Sequence, residues 1–466
     1  MSRRLLLSTA LAMAAGAACL LLLVLTPQQG DVSAVLLLAV LTSLLGLMLR
    51  YLVTAPGEIR FLWWVLLSTI LLRFAFTILQ HYIDPDLGLK LEQDGRAVTA
   101  AGRELALGWE RGLTRFAWPA DLKHLHDWLT LHRSAWLFYC LGYSPLLPAA
   151  TNIVASASCA LAGYVVVRRW LTIDAARIAA LLIAFWPSLM VWSSHNLKDP
   201  VNMAALSWSV CGLLLLRERF SVPAIVLVAS SWAIGFLIRP YMGVLTIAGE
   251  IAAIGVIAIR SKSFLGSASM ATITVVTAAF AVWAGIHEAQ QMYGEQASLE
   301  GAETKRRTYY EGAVADRAQG VGHSEYVVNL KADTPLESLL QLPLRIPLFL
   351  FSPIPVRFGS LRLMATYPEM LFLYWLIPGF VAGLAYIWRQ GRAEALFVLS
   401  SMAPILIVFS VGTSISGEAM RYRNILLPQL LVFAAVGWAL KRARRREAQR
   451  ERALSGHQQV GPAQAA

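Results

Sequence analysis

Residues 61–80 read FLWWVLLSTILLRFAFTILQ, and residues 81–112 continue as HYIDPDLGLKLEQDGRAVTAAGRELALGWERG. The first stretch is almost entirely apolar and has the roughly 20 residues that an α-helix needs to cross a bilayer. The second is the first long polar stretch of the chain. The sequence therefore predicts a membrane helix that runs directly into a polar loop.

The composition indicates several such helices. Of the 466 residues, 57% are hydrophobic and 15% are charged, whereas soluble domains carry about 25% charged residues. We predict an all-α polytopic membrane protein of about twelve transmembrane helices, forming one domain over residues 1–440. The predicted spans are 5–26, 34–52, 61–80, 146–167, 174–193, 201–216, 221–238, 241–260, 269–287, 369–388, 394–411 and 424–440. The apolar runs 134–143 and 338–352 are short for a span, and we expect them to be re-entrant or interfacial.

Lysine and arginine residues mark alternate connections between these spans. They are Arg3, Arg4, Arg50, Arg60, Arg168, Arg169, Arg217, Arg219, Arg260, Lys262, Arg389 and Arg392. With twelve spans all of them fall on one face, which the positive-inside tendency makes cytoplasmic. Both termini are then cytoplasmic, and the loops 81–133 and 288–368 lie outside a bacterial inner membrane.

The net charge of +12 is therefore interpreted as a topology signal and not as a sign of nucleic-acid binding. Much of it lies in the tail 441–466, which we expect to be cytoplasmic and disordered. The cysteines show neither metal-ligand spacing nor a disulfide framework, so we predict four small buried apolar side chains. They are Cys19, Cys140, Cys159 and Cys211.

The loop 81–133 carries acidic residues close to the membrane. Asp84 and Asp86 flank a proline, a pattern typical of a turn. Asp94 precedes a helical pattern in which the apolar residues recur at spacings of three and four. These residues are Val98, Ala101, Leu105 and Trp109. Asp94 can therefore cap a short amphipathic helix, and a carboxylate placed there can also act as a general base or bind a cation.

Metal binding has little support in the sequence. His124 and His126 form a His-x-His pair, and His132 follows in the same loop. Such a pair occurs in metal sites but is a weak signal on its own. The sequence leaves the cofactor unknown, with a divalent cation as one option.

Three short turns on the same outer face carry cations. Lys198 opposes the positive-inside tendency, which suggests an anionic partner, and Asp199 is expected to cap the helix that starts at Pro200. Arg239 and Tyr241 belong to the second turn. The third contains Arg421 and Arg423 beside the carboxylate of Glu418. Four cations on one face predict a phosphate or pyrophosphate ligand carried on a lipid.

The loop and the turns together resemble the C-type glycosyltransferase superfamily. The resemblance rests on Asp94-Gly-Arg-Ala-Val-Thr-Ala-Ala in the first outer loop and on Arg421-Tyr-Arg423-Asn-Ile-Leu-Leu-Pro428 at the last span. The Lys198-Asp-Pro200 turn and the stretch Phe351-Ser-Pro-Ile-Pro355 are similar to those of bacterial surface-polysaccharide membrane proteins. The sequence departs from the superfamily in having two further spans before the loop and no clear paired acidic motif.

This resemblance implies a transferase that uses a sugar linked to a polyprenyl phosphate. It implies that Asp94, with Asp86 and Asp84 as alternatives, acts as catalytic base or helps to hold a metal. It also implies that the outer cations, with Tyr241, bind the carrier phosphate, while Asp199 and Glu418 support them. The partners would be a lipid-linked sugar donor, a glycan or lipid acceptor and the membrane lipids.

Three other functions remain open. A polysaccharide polymerase or ligase would use a whole lipid-linked oligosaccharide as donor. A transporter or flippase would line a path with charged residues, yet only Arg73 and Glu250 fall near the centre of a predicted span. An assembly partner without a site would tolerate loss of charge at Lys198 or Arg423.

Overall fold

The computed structural model of the protein describes residues 30–83, 93–112, 128–260, 311, 334–353, 366–392, 394–413 and 416–458. Every regular element in these residues is helical. The helices in chain order are α1 Asp31–Leu52, α2 Pro56–Ile78, α3 Gln93–Glu110, α4 Trp128–Leu141, α5 Leu146–Trp170, α6 Ile173–Ala184, α7 Pro187–Ser193, α8 Asp199–Glu218, α9 Val222–Ile238, α10 Pro240–Arg260, α11 Pro335–Leu340, α12 Leu342–Phe351, α13 Tyr367–Arg389, α14 Ala395–Gly412 and α15 Ser416–Gln458. A π-helical turn, Leu79–Ile83, extends α2.

Eight of these helices are long and apolar enough to cross a membrane, or nine if the bent pair α6–α7 counts as one span. The chain is thus an all-α polytopic membrane protein, as predicted, but the count of about twelve is not confirmed. The predicted span 221–238 forms α9, a shorter apolar helix. The predicted spans 5–26 and 269–287 lie outside the described residues.

One predicted span is broken. Residues 174–193 form α6 and α7, which meet at an angle of 49°. Pro187 occupies the first turn of α7, and Trp186 before it has an extended backbone. Proline has no amide hydrogen and disfavours the helical conformation in the preceding residue, so the helix stops and restarts there.

The core of the bundle forms around α5. Its side chains are buried along nearly the whole helix, and α2, α6 and α8 all pack against it. Small residues such as Ala157, Ala160 and Gly163 allow the close approach of neighbouring helices that membrane bundles favour. The position of α5 places its polar residue Asn152 among several helix ends.

The basic connections lie together at one end of the bundle, which we call the basic end. Arg169 pairs with Glu218 at 2.6 Å, and Arg217 pairs with Glu394 at 3.4 Å. Arg392 donates to the Arg169 carbonyl at 3.0 Å. These contacts show that the connections at Arg169, Arg217 and Arg392 share a face.

The opposite end, which we call the loop end, contains α3 and the starts of α1, α5 and α8. Asp31 at the start of α1 accepts hydrogen bonds from Tyr82 at 2.8 Å and from Ser144 at 2.5 Å. These bonds fasten α1 to the end of the π-helical turn and to the residues before α5. The start of the loop 81–133 is thereby held at the loop end.

The structure differs from the sequence expectations in the tail and at one cysteine. Residues 441–458 of the tail continue α15 as a helix, because this stretch is rich in the strong helix formers Ala, Arg, Glu and Gln and lacks proline. Cys140 is exposed and not buried, because its apolar run lies on α4 at the edge of the bundle. Cys159 and Cys211 are buried as predicted, and Cys19 lies outside the described residues.

The contact between α13 and α15 depends on glycines. A Cβ atom added at Gly383 would collide with the Phe433 carbonyl, and one added at Gly437 would collide with the Gly379 carbonyl. Because these neighbours are backbone atoms, a side-chain rotation cannot relieve the collision. The two helices therefore approach by the small-residue packing that is common between membrane helices.

We expect Gly383→Val to lower the free energy of unfolding by about 3 kcal/mol, the upper end of the usual range for overpacking. The measurement is reversible unfolding of the protein in mixed detergent micelles. Gly57→Val is the matched control, because an added Cβ at Gly57 meets nothing within 4 Å. Equal stability of the two variants would contradict the close contact between α13 and α15.

Candidate functional site

The predicted amphipathic helix is present as α3. Its buried face includes the four residues expected from the periodicity, Val98, Ala101, Leu105 and Trp109, together with Ala106. The helix begins at Gln93, so Asp94 lies in its first turn. Asp84 and Asp86 lie outside the described residues.

The second turn of α3, which contains Thr99, lies beside the turn that joins α7 to α8. Asn196 donates to Thr99 Oγ1 on α3 and to Ser134 Oγ on α4, both at 3.0 Å. Asn152 on α5 donates to the carbonyls of His195 and Leu197 at 2.6 and 2.8 Å. The loop that carries Asp94 and the turn that carries Lys198 are therefore joined through shared hydrogen bonds.

Arg133 on α4 lies at the centre of this junction. Its two Nη atoms donate to Asn152 Oδ1 at 2.7 Å and to Asn196 Oδ1 at 2.9 Å. No carboxylate of the described residues forms an ion pair with it. Burial lowers the pKa of Arg133 to about 10. The guanidinium is therefore charged at neutral pH. An anion placed beside it would stabilise this charged form.

Asp199 forms the second part of the site. Its Oδ1 lies 2.8 Å from Arg239 Nη2, and its Oδ2 lies 2.5 Å from Arg421 Nε. Lys198 occupies the N-cap position of α8, and no side-chain capping bond is present. The expectation that Asp199 caps this helix is wrong, because both of its oxygens face arginines from distant parts of the chain.

Aromatic rings enclose the two arginines. The Arg239 guanidinium lies 5.1 Å from the ring centre of Tyr422 and 5.9 Å from that of Phe409. The Arg421 guanidinium lies 6.0 Å from the Trp192 ring. Cations at this distance from aromatic faces are attracted by the ring electrons. We name Asp199, Arg239 and Arg421 with these rings the Asp199 cluster.

The other residues predicted for the site lie beside the Asp199 cluster and differ in their exposure. Tyr241 and Lys198 are partly buried beside it, and Glu418 interacts with Tyr422 of the cluster. Arg239 is 2% exposed, whereas the side chain of Arg421 is 15% exposed. The structure thus brings Lys198, Arg239, Tyr241 and Arg421 together at the loop end.

Arg423 belongs to a separate cluster. Its Nη1 donates to the carbonyls of Leu350 and Ser352 at 2.8 and 2.9 Å, and its Nη2 lies 3.9 Å from Glu369. The side chain is fully buried. Arg423 therefore fastens the end of α12 to α15.

Glu369 and Arg73 hold the two sides of the break between α6 and α7. Glu369 accepts hydrogen bonds from Trp186 Nε1 at 2.8 Å, Ser188 N at 2.8 Å and Ser188 Oγ at 2.7 Å. Arg73 Nη2 donates to the Ala184 carbonyl at 2.9 Å. An anion thus lies at the amide end of α7 and a cation at the carbonyl end of α6, where the helix dipoles favour them.

Sequence reasoning missed Glu369, Arg133 and Asn152. Glu369 directly precedes a long apolar run and looks like an ordinary residue of a first helical turn. The sequence did contain one signal for the break, since Pro187 stands in the middle of the predicted span 174–193. That proline indicates that some other group must satisfy the backbone there.

The structure gives no support for a metal centre in the described residues. No group of three or more His, Cys, Asp or Glu side chains in that part of the chain could hold a metal ion. His124 and His126 lie outside it, as do Asp84 and Asp86. No family model matches the chain, and no curated protein sequence matches it significantly.

Proposed function

We propose that the chain is a membrane glycosyltransferase that acts at the loop end of the bundle. It moves a glycosyl unit from a polyprenyl-phosphate or -diphosphate donor to a glycan or lipid acceptor, on the extracytoplasmic face of a bacterial inner membrane. The resemblance to the C-type superfamily suggests this reaction. The observation that carries the proposal is the surplus of cations in the Asp199 cluster, close to the helix that bears Asp94.

The charge balance of the cluster favours a phosphate ligand. Arg239 and Arg421 share the carboxylate of Asp199, and Lys198 adds a further positive charge next to it. Glu418 near Tyr422 supplies a second carboxylate, so three cations stand against two carboxylates. A surplus of positive charge in a partly desolvated place is costly unless an anion joins it. A phosphate on a lipid carrier supplies that anion at the depth where the cluster lies.

Exposure divides the cations into two roles. Lys198 and Arg421 are only partly buried, so they are placed to contact the phosphate directly. Arg239 is buried against Asp199 and aromatic rings, and it keeps Asp199 and Arg421 in position. Arg423 acts at a greater distance, by holding the end of α12 against α15.

The chemistry requires a base for the acceptor and a stabilised leaving group. Asp94, with Asp86 and Asp84 as alternatives, removes the proton of the acceptor hydroxyl. The acceptor oxygen then bonds to the anomeric carbon, and the bond from that carbon to the phosphate oxygen breaks. The leaving phosphate keeps the electron pair, and Lys198 and Arg421 stabilise its negative charge.

We expect Asp94→Asn to reduce glycosyl transfer by about 10²- to 10⁴-fold, the usual contribution of a general base. The measurement is mass spectrometry of lipid-linked sugars in cells that lack the chain and receive either the wild type or the variant. Donor should accumulate with Asp94→Asn. Glu104→Gln is the control, because Glu104 is an exposed carboxylate on the same helix.

Near wild-type transfer by an Asp94→Asn protein that inserts normally would overturn the assignment of the base. Accumulation of a whole lipid-linked oligosaccharide, in place of a single sugar, would favour a polymerase or ligase. A flippase is the second candidate, because the break at α6–α7 and the buried Arg73 resemble the discontinuous helices of transporters. It would move its lipid-linked glycan without altering the covalent structure.

A further inference from the structure

Glu250 is a carboxylate within the membrane bundle that the proposed transfer does not use. It lies on α10 and is fully buried. Its Oε1 lies 2.6 Å from Ser209 Oγ on α8, and its Oε2 lies 2.6 Å from Trp232 Nε1 on α9. Three helices therefore meet at this one side chain.

No cation of the described residues compensates a charge at this position. Within the part of the chain that the structure describes, Ser209 and Trp232 are the groups that interact with the carboxyl group. The sequences of α9 and α14, which pack against α10, contain no ionisable residue. On α8 the ionisable residues are Asp199, Cys211, Arg217 and Glu218, and three of these four lie at the two ends of the helix. An unpaired carboxylate here would cost several kcal/mol.

The hydrogen bonds around Glu250 accommodate the neutral acid. The Trp232 ring nitrogen can only donate, so Oε2 must be the accepting oxygen of that bond. Ser209 Oγ also lies 3.0 Å from the Leu206 carbonyl oxygen. The hydroxyl proton of Ser209 can be donated to that oxygen. The Ser209 oxygen is then available to accept a proton from Glu250 Oε1. With the acid neutral, every donor in this chain of bonds has its own acceptor.

A cavity adjoins Ser209 and Trp232, the two hydrogen-bond partners of Glu250. Its volume is about 20 Å³, enough for about one water molecule. Ser209 and Trp232 line it on the side of Glu250, and Asn202 and Met242 line it on the side of the loop end. Arg239 of the Asp199 cluster contacts Met242, with Nη1 3.6 Å from the sulfur.

We propose that Glu250 is a proton-binding site within the membrane, held as a neutral carboxylic acid that donates to Ser209 and exchanges its proton through the adjoining cavity. The chemical class of its ligand is a single proton, delivered by water from the loop end. The inference is independent of the transferase reaction, since it rests on hydrogen-bond donors and acceptors around α10 alone.

The test is infrared difference spectroscopy of the purified full-length protein in lipid nanodiscs at neutral pH. A carbonyl band from a protonated carboxyl group is expected in the wild type and is expected to be lost in Glu250→Gln. The control Glu104→Gln should keep the band. An unchanged band in Glu250→Gln would overturn the proposal, because the signal would then come from another group.

Two hydrogen-bond variants test the proposal even if Glu250→Gln does not fold, and a third variant tests the route of exchange. Trp232→Phe and Ser209→Ala each remove one hydrogen bond to the carboxyl group, and each should shift the band in frequency. Ala205→Val narrows the cavity and should slow the shift of the band after transfer into heavy water. Bands unmoved by both hydrogen-bond variants would refute the neutral acid, and unaltered exchange in Ala205→Val would refute the route.

Discussion

Asp199→Ala will lower the free energy of unfolding by about 3–5 kcal/mol, the usual loss when one partner of a buried ion pair is removed. The reason is that Arg239 and Arg421 both depend on this carboxylate. Arg239 is 2% exposed and lies against the rings of Tyr422 and Phe409. The measurement is unfolding in mixed micelles, with the yield of monodisperse protein as a second readout.

The control for this prediction is Asp174→Ala. Asp174 also pairs with arginines, but its side chain is 56% exposed, and exposed pairs contribute about 0–1 kcal/mol. The double variant Asp199→Ala/Arg239→Met should recover part of the loss, because it no longer leaves Arg239 unpaired. Equal losses in Asp199→Ala and Asp174→Ala would show that the Asp199 cluster is not a structural unit.

Glu369→Ala will loosen α7 and destabilise the protein by several kcal/mol. The substitution leaves Trp186 Nε1 and Ser188 N without their acceptor, and each buried donor left without a partner costs about 1–3 kcal/mol. Ser188 Oγ keeps Asn424 Oδ1 as an acceptor at 2.8 Å. It also leaves the fully buried Arg423 without its nearest carboxylate. Hydrogen–deuterium exchange should rise in peptides that cover α7 while staying low in α5.

Glu104→Ala serves as the comparison, since it removes an exposed carboxylate and should leave exchange in α7 unchanged. Because α7 leads directly into the turn that carries Lys198, Glu369→Ala should also weaken any phosphate binding by the Asp199 cluster. Exchange that rises equally in α5 and α7 would instead indicate general unfolding, and the specific role of Glu369 at the break would be wrong.

Local patterns in the sequence predicted the parts of the site that depend on one helix at a time. The spacing of Val98, Ala101, Leu105 and Trp109 was enough to place α3, because apolar periodicity is a property of a single helix. Counting spans and basic turns was enough to bring Lys198, Arg239 and Arg421 to one end, because topology alternates along the chain.

The choice of partners could not be predicted in this way. Asp199 pairs with two arginines because α8, the start of α10 and α15 adjoin, and no local pattern specifies which helices become neighbours. Glu369 and Trp186 meet for the same reason, across a separation of 183 residues. The residues proposed to bind phosphate were therefore grouped together, while the carboxylate that pairs with two of them was interpreted as a helix cap.

The burial of α5 has a consequence for how the protein assembles. Of its most apolar stretch, 89% is buried in the folded bundle, and the buried residues include Asn152, Ser156 and Ser158. Membrane helices insert before they associate, so α5 first meets lipid on all sides and exposes these polar groups to it. The helix must exchange almost its entire lipid coat for protein as the later helices arrive. The step that completes the bundle during biogenesis is therefore the enclosure of α5, and it can finish only once α15, near the end of the chain, has been synthesised.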